Sequence, residues 1–117
     1  MDLSLVVVAA IVGYVVWSKL SSRRVAAQAG EVKAALDAGA ALVDVRSPAE
    51  FSGGHLPGAK NVPVQGIGAQ ASKLGDTVVV YCASGMRSAR AARVLRQAGV
   101  TKVYDLGAMA NGQALLG

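Results

Sequence analysis

The chain has few of the residues that build disulfides, metal sites and stacking surfaces. Its 117 residues include one cysteine, one histidine, one tryptophan and one phenylalanine. A single cysteine excludes an internal disulfide, and one cysteine with one histidine falls short of the ligands that a zinc site recruits. The scarce aromatic side chains offer no platform for stacked bases. We therefore expect no metal, no cofactor and no nucleic-acid partner.

Charge is also sparse, and it is not gathered in one tail. The chain carries 12 Lys and Arg against 7 Asp and Glu, which gives a formal net charge of +5. The total length suffices for one compact domain and little else.

The longest apolar run lies at the N-terminus. Between residues 3 and 20 the only charged side chain is Lys19. Eighteen helical residues span roughly 27 Å, which is enough for the core of a bilayer. We predict a membrane anchor over residues 1–20 and a linker over residues 21–29. Trp17 falls inside the anchor, and we expect no role for it in a functional site.

Basic residues follow this run, and Asp2 precedes it. Lys19 lies at the C-terminal end of the run, and Arg23 and Arg24 lie just beyond it, so the positive-inside rule places the rest of the chain in the cytoplasm. One alternative is a signal peptide cleaved near residues 27–29, which would export the domain, although a basic start is missing. The other alternative is a buried core helix.

From residue 30 to residue 117, apolar runs typical of strands alternate with helical patterns. The strand candidates are Ala41–Val45, Lys60–Val64, Asp76–Tyr81 and Lys102–Leu106. The helix candidates are Glu31–Ala38, a start at Ser47 with Pro48 and Glu50 in its first turn, Gly66–Leu74 and Ser88–Ala98. This alternation predicts an α/β domain with a mostly parallel sheet that helices cover on both faces.

The segment from Cys82 to Ser88 joins the clearest strand to the clearest helix. Ligands bind beyond the carboxyl ends of such strands, and Gly85 allows the loop to curl its N–H groups inward. The helix N-terminus adds further N–H groups and a positive dipole end. This anion nest favours a thiolate on Cys82, the nucleophilic form. Arg87 fits the same interpretation. A cation in the first turn of a helix opposes the helix dipole, and a bound anion would explain its presence there.

Three segments resemble the signatures of the single-domain rhodanese family. They occur in the family's order and read LVDVRSPAEF (residues 42–51), GHLPGAKNVP (residues 54–63) and VYCASGMRS (residues 80–88). The apolar N-terminus is similar to that of the phage-shock sulfurtransferases, some of which are exported. The resemblance implies a rhodanese-like α/β fold, with a small, mostly parallel sheet of about five strands flanked by helices.

The resemblance also implies a sulfurtransferase mechanism. Cys82 would take the outer sulfur of thiosulfate or a related anionic donor as a persulfide, and cyanide or a thiol would then remove it. Arg87 would position the donor, while Ser84 and Met86 would line the mouth of the loop and influence the choice of acceptor. The implied substrate-binding residues are Ala83, Ser84, Gly85, Met86, Arg87 and Ser88. A protein in a sulfur relay could serve as donor or acceptor.

The first two signatures are interpreted mainly as architectural. Asp44 and Arg46, at a strand end, are expected to pair with one another or with the loop. His55 is expected to brace the turn that follows it by a hydrogen bond. These three residues form a possible second layer around the site.

The sequence departs from the family pattern in two features, and two functions other than sulfur transfer stay open. The family often has paired glycines and a tryptophan after its last strand, which this chain lacks, so we expect its closing helix to be shortened or missing. A phosphatase or arsenate reductase on the related fold would resemble Cys-x5-Arg, whereas four residues separate Cys82 from Arg87. The second rival is a non-catalytic rhodanese-like binding module.

Overall fold

A computed structural model describes residues 2–116, which form a long N-terminal helix and an α/β domain. The helices are α1 (Leu3–Ala27), α2 (Ala29–Asp37), α3 (Pro48–Ser52), α4 (Ile67–Leu74), α5 (Met86–Gln97) and α6 (Met109–Leu116). The strands are β1 (Ala41–Asp44), β2 (Lys60–Asn61), β3 (Thr77–Cys82) and β4 (Lys102–Ala108).

The sheet is parallel throughout, with strands in the order β2-β1-β3-β4. This confirms the predicted rhodanese-like α/β fold, but the prediction of about five strands was wrong, because the sheet has four. From residue 30 onward four runs were predicted as strands, and each overlaps one of the four observed strands. The segment that precedes them is rich in alanine and folds as helix instead.

Helices cover both faces of the sheet, and alternate residues of β3 face the two cores. Val78, Val80 and Cys82 pack with side chains of α4 and α5. Val79 and Tyr81 pack with side chains of α1, α2 and α6. The strand is buried on both sides, which is typical of the centre of a parallel sheet.

Helix α1 continues into the segment that was expected to be a linker. It runs unbroken to Ala27, since no glycine or proline interrupts the sequence between Gly13 and Gly30. Its last turns belong to the domain, because Val25 is only 3% exposed and lies in the core. The hydroxyl of Ser22 donates to Asn111 Oδ1 at 3.1 Å. The helix is long and apolar enough to cross a membrane, a property it shares with signal sequences.

A closing helix follows β4. We expected this helix to be shortened or missing; it is present as α6, which spans eight residues and packs against β3 and β4. Its residue Leu115 is 8% exposed and belongs to the same core as Val25.

Candidate active site

Cys82 is the last residue of β3, and its sulfur accepts two backbone hydrogen bonds. The N–H of Gly85 lies 2.9 Å from Sγ and the N–H of Ser88 lies 3.4 Å from it. Helix α5 begins at Met86, two residues earlier than predicted, so the Ser88 N–H is one of the unpaired donors of its first turn. Cys82 itself is fully buried. The loop therefore directs peptide dipoles at the sulfur and also covers it.

Gly85 is held in place by two neighbours that leave no room for a side chain. Its φ of +101° lies in the left-handed region that favours glycine. A Cβ at this position would lie 2.8 Å from Cη2 of Trp17 and 3.3 Å from Cα of Gly107. The indole of Trp17 thus lies directly against the loop that surrounds Cys82. Sequence reasoning missed this role, since nothing in the local pattern indicates where α1 packs.

Arg87 is held by a carboxylate rather than left free for a donor. Its Nη1 and Nη2 donate to Oε1 and Oε2 of Glu50 at 2.7 and 3.0 Å. Glu50 also completes the predicted capping box of α3, because its Oε1 accepts from the N–H of Ser47 at 3.1 Å. Hydrogen bonds from Arg87 and then from Ser47 lower the pKa of Glu50 to about 2. The sequence indicated the cap but gave no signal for the ion pair.

Asp44 and Arg46 pair with one another. Arg46 Nε donates to Asp44 Oδ2 at 3.0 Å and Nη2 donates to the same oxygen at 2.7 Å. Nη2 also donates to the carbonyl of Gly54 at 2.6 Å. Burial would raise the pKa of Asp44, but the hydrogen bonds from Arg46 and Tyr81 outweigh it, so the pKa is lowered. The pair ties the end of β1 to the segment that follows α3.

Two further contacts fix the turn after α3. The ring of His55 stacks on Phe51, with centroids 3.7 Å apart, and His55 Nδ1 lies 3.0 Å from the Phe51 carbonyl. His55 thus contacts the end of α3 rather than the turn that follows it, and its bracing of that turn stays a prediction. The hydroxyl of Tyr81 accepts from the N–H of Leu56 at 3.0 Å, and burial raises the pKa of Tyr81 to about 12. The role of Tyr81 was not predicted.

The remaining loop residues divide into an outer and an inner set. Ala83, Ser84 and Met86 are exposed, and Met86 is 71% exposed. Ser88 is buried, and its hydroxyl donates to the carbonyl of Gly85 at 3.0 Å. The outer set can meet a substrate directly, whereas Ser88 supports the shape of the loop.

Cavities in the described part of the chain lie away from Cys82 or beside its loop. A cavity of about 710 Å³ lies at the amino ends of the strands, where Ala41 and Lys60 line it. A second cavity of about 380 Å³ is lined by Tyr14, Trp17, Met86 and Ala89. Within residues 2–116, no group of three or more His, Cys, Asp or Glu side chains could hold a metal ion.

Comparisons with known proteins agree on one family. The model of the rhodanese-like domain matches residues 28–111. The chain is 42% identical over 69 residues to YqhL of Bacillus subtilis, covering 57% of this chain and 55% of that protein. It is 34% identical over 71 residues to the thiosulfate sulfurtransferase PspE of Escherichia coli, covering 57% and 68%. The structure of the human single-domain sulfurtransferase TSTD1 superposes with a TM-score of 0.59 at 31% identity, covering 73% of this chain and 91% of that one.

Proposed function

Because the chain belongs to the rhodanese family, we propose that it transfers sulfane sulfur through a persulfide formed on Cys82. The observation that carries this proposal is the pair of backbone N–H groups, from Gly85 and Ser88, that point at Sγ. Preorganised peptide dipoles of this kind favour negative charge on the sulfur, both as the attacking thiolate and as the persulfide.

The chemistry consists of two displacements at sulfur. The Cys82 thiolate attacks the outer sulfur of thiosulfate, the S–S bond of the donor breaks, and sulfite leaves with the electron pair. An acceptor, cyanide in an assay or a thiolate in the cell, then attacks the outer sulfur of the persulfide and releases the Cys82 thiolate. Neither step needs an oxidant or a cofactor. A protein thiol of a sulfur relay fits the second step as well as a small molecule does.

Arg87 is the group on the chain best suited to position an anionic donor. Its guanidinium is 37% exposed and already binds one anion, the carboxylate of Glu50, in the fork geometry that suits sulfonate oxygens. A donor would share or replace that carboxylate. Ser84 and Met86, exposed on the same loop, would meet the acceptor.

The same proposal includes a membrane location. Helix α1 would remain attached as a single-pass anchor with the domain in the cytoplasm, since Lys19, Arg23 and Arg24 follow its apolar part. Cleavage near residues 27–29 would remove Val25 from the core, which argues against a signal peptide. Resistance of the full chain to alkaline extraction from membranes, with an intact N-terminus by mass, is the expected result.

The central experiment is sulfur transfer by the full chain in detergent. Incubation with thiosulfate should add ~32 Da, one sulfur atom, to the intact protein, and thiosulfate:cyanide transfer should follow. The transfer rate of Cys82→Ser should be at least ~10³-fold lower than that of the wild type, because a hydroxyl oxygen cannot carry the sulfur. The control is Ala69→Ser on the exposed face of α4, which should retain the rate. A Cys82→Ser protein as active as this control would refute the proposal.

A non-catalytic binding module is the second candidate, and the complete burial of Cys82 favours it. The two candidates differ in the reactivity of the thiol. A sulfurtransferase must open its loop often enough for iodoacetamide and thiosulfate to modify Cys82 in the folded protein. Hydrolysis of a phosphate ester, measured alongside, would instead indicate the phosphatase chemistry of the related fold.

A further inference from the structure

The active-site loop is packed against the apolar helix. Trp17 covers Gly85, and Tyr14, one turn earlier on α1, shares the cavity of about 380 Å³ with Trp17 and two residues of α5, Met86 and Ala89. We call these four residues the apolar rim. Met86 is 71% exposed and Tyr14 is 54% exposed, although both lie beside the loop of a buried cysteine.

The length of α1 places this rim near the level of lipid headgroups. From Leu3 to Trp17 the helix rises roughly 22 Å, whereas the hydrocarbon core of a bilayer is about 30 Å thick. A bilayer crossed by α1 therefore thins around the helix to match this shorter apolar segment. The loop packed against Trp17 is then at the membrane surface. Tryptophan and tyrosine are the side chains that favour this layer.

We propose that the apolar rim lies in the headgroup layer and receives the hydrocarbon part of an amphipathic thiol, the sulfur acceptor. This inference rests on the proposed function and on a membrane-spanning α1. In the transfer, the acceptor thiolate attacks the outer sulfur of the Cys82 persulfide, a new S–S bond forms on the acceptor, and the Cys82 thiolate leaves.

A bilayer fits the rim better than a second protein does. The apolar side chains of α1 above the rim are exposed, and they continue without interruption into Tyr14 and Trp17. The basic side chains of Lys19 and Arg23 follow within two turns, where phosphate groups would lie. One surface therefore changes from apolar to cationic in the order in which a membrane changes from hydrocarbon to headgroup.

The position of the rim can be measured directly, because Trp17 is the only tryptophan in the chain. The full chain is reconstituted in phosphatidylcholine vesicles whose acyl chains carry bromine either near the headgroup or near the chain end. We expect quenching of Trp17 emission at least ~2-fold stronger with the shallow bromines, as for an interfacial residue. Emission unaffected by either lipid would overturn the proposal.

The choice of acceptor is tested in the same vesicles, after Cys82 has been loaded with sulfur and the load verified by mass. Transfer to 1-octanethiol should exceed transfer to 2-mercaptoethanol by at least ~10-fold at equal total concentration, since the alkyl chain concentrates at the rim. Ala89→Gln should reduce the octanethiol rate about 5-fold by placing an amide in the apolar contact. It should leave the mercaptoethanol rate unchanged.

The matched control is Ala69→Gln, which places the same amide on the exposed face of α4, away from the rim. Equal rates for the two thiols, or an octanethiol preference that Ala89→Gln and Ala69→Gln alter equally, would refute the inference. Failure of the proposed function looks different, because no sulfur would be loaded on Cys82 before any acceptor is added.

Discussion

The carboxylate of Glu50 takes part in two separate interactions. Its oxygens accept from the backbone of Ser47 at the start of α3 and from both terminal nitrogens of Arg87 beside the loop that surrounds Cys82. Protonation of Glu50 would weaken both the hydrogen bond from Ser47 and the ion pair with Arg87. The carboxylate therefore links the acid stability of the fold to the position of the residue proposed to hold the donor.

The pH dependence of this link follows from the lowered pKa. The pKa of Glu50 is about 2 in the folded protein against an ordinary value of 4.5. Its contribution to stability is therefore complete above about pH 4.5 and is lost as the pH falls through about 2. We expect Glu50→Gln to lower the urea midpoint at pH 7 and to flatten its decline between pH 5 and pH 2.

The control for this measurement is Asp37→Asn, an exposed carboxylate on α2. Asp44 also has a lowered pKa, but it is present in every variant and cancels in the comparison. A Glu50→Gln protein whose midpoint declines with pH as steeply as the wild type would contradict the assignment.

The sequence predicted the side-chain interaction between residues close together in the chain, and it did not predict the interaction between residues far apart. The capping box of Ser47 and Glu50 depends on residues three positions apart, so its pattern is visible in the sequence. The pairing of Glu50 with Arg87 joins residues 37 positions apart. No local pattern encodes such a distance, and it becomes visible only when α3 and α5 are brought together at the end of the sheet.

Among the elements, α1 makes the least expected contact, since Trp17 lies on Gly85. We expect Trp17→Ala to slow persulfide formation about 10-fold, because Gly85 would no longer be pressed into the position that directs its N–H at Sγ. The assay uses detergent, so that effects of the bilayer are excluded. Val16→Ala, an exposed neighbour on α1, is the control.

A purely structural role for Trp17 would give another result. The melting temperature would then fall while kcat for thiosulfate stayed at the wild-type value. A positioning role predicts a lower kcat at temperatures where both proteins are fully folded.

Helix α6 packs so closely that a side chain cannot be added to its one glycine without strain. A Cβ at Gly112 would lie 2.5 Å from Cδ1 of Leu56 and 3.3 Å from Cδ1 of Leu106. Leu56 is 2% exposed and has little room to move. We expect Gly112→Ala to destabilise the protein by about 1–2 kcal/mol, net of the gain in helix propensity, as measured by urea unfolding.

Gly30 provides the matched comparison in another helix. It lies in α2, and a Cβ added there would meet no atom of residues 2–116 within 4 Å beyond its own helix backbone and chain neighbours. Gly30→Ala should therefore stabilise the protein by about 0.5–1 kcal/mol. Equal effects of the two substitutions would show that packing around Gly112 is looser than the structure indicates.

The order of the elements was largely readable from the sequence, and their ends were less so. The β-branched run that forms β3 was predicted to within one residue at each end, because such a run suits a buried strand. Lys60–Val64 was expected to be a strand, but β2 ends at Asn61. Pro63 lacks the N–H that further pairing needs, and a short 3₁₀ turn follows it.

For the whole molecule, the core includes Val25, so we expect the boundary of the folded unit to lie earlier than residue 30. A fragment of residues 21–117 retains Val25 in the core and Arg24 within 3.7 Å of Asp105, whereas a fragment of residues 30–117 loses both. Burial of one valine side chain contributes about 1.5–3 kcal/mol. We expect the shorter fragment to be less stable by about that amount in urea unfolding.

Val25→Ala in the longer fragment separates the two losses. It should reproduce most of the difference, because Arg24 is 55% exposed and 3.7 Å from Asp105, and the Ser22–Asn111 hydrogen bond is exposed, so both contribute little. Equal midpoints for the two fragments would place the boundary where the sequence suggested it. The sequence could not locate this boundary, since an apolar helix can meet either lipid or protein.

The contact between Ser22 and Asn111 joins residues 89 positions apart, and it sets an order of events during synthesis. The first helix leaves the ribosome long before β4 and α6, the elements that cover its last turns. Val25 therefore stays exposed to solvent until α6 has been translated. This domain can complete its folding only after α6 has left the ribosome.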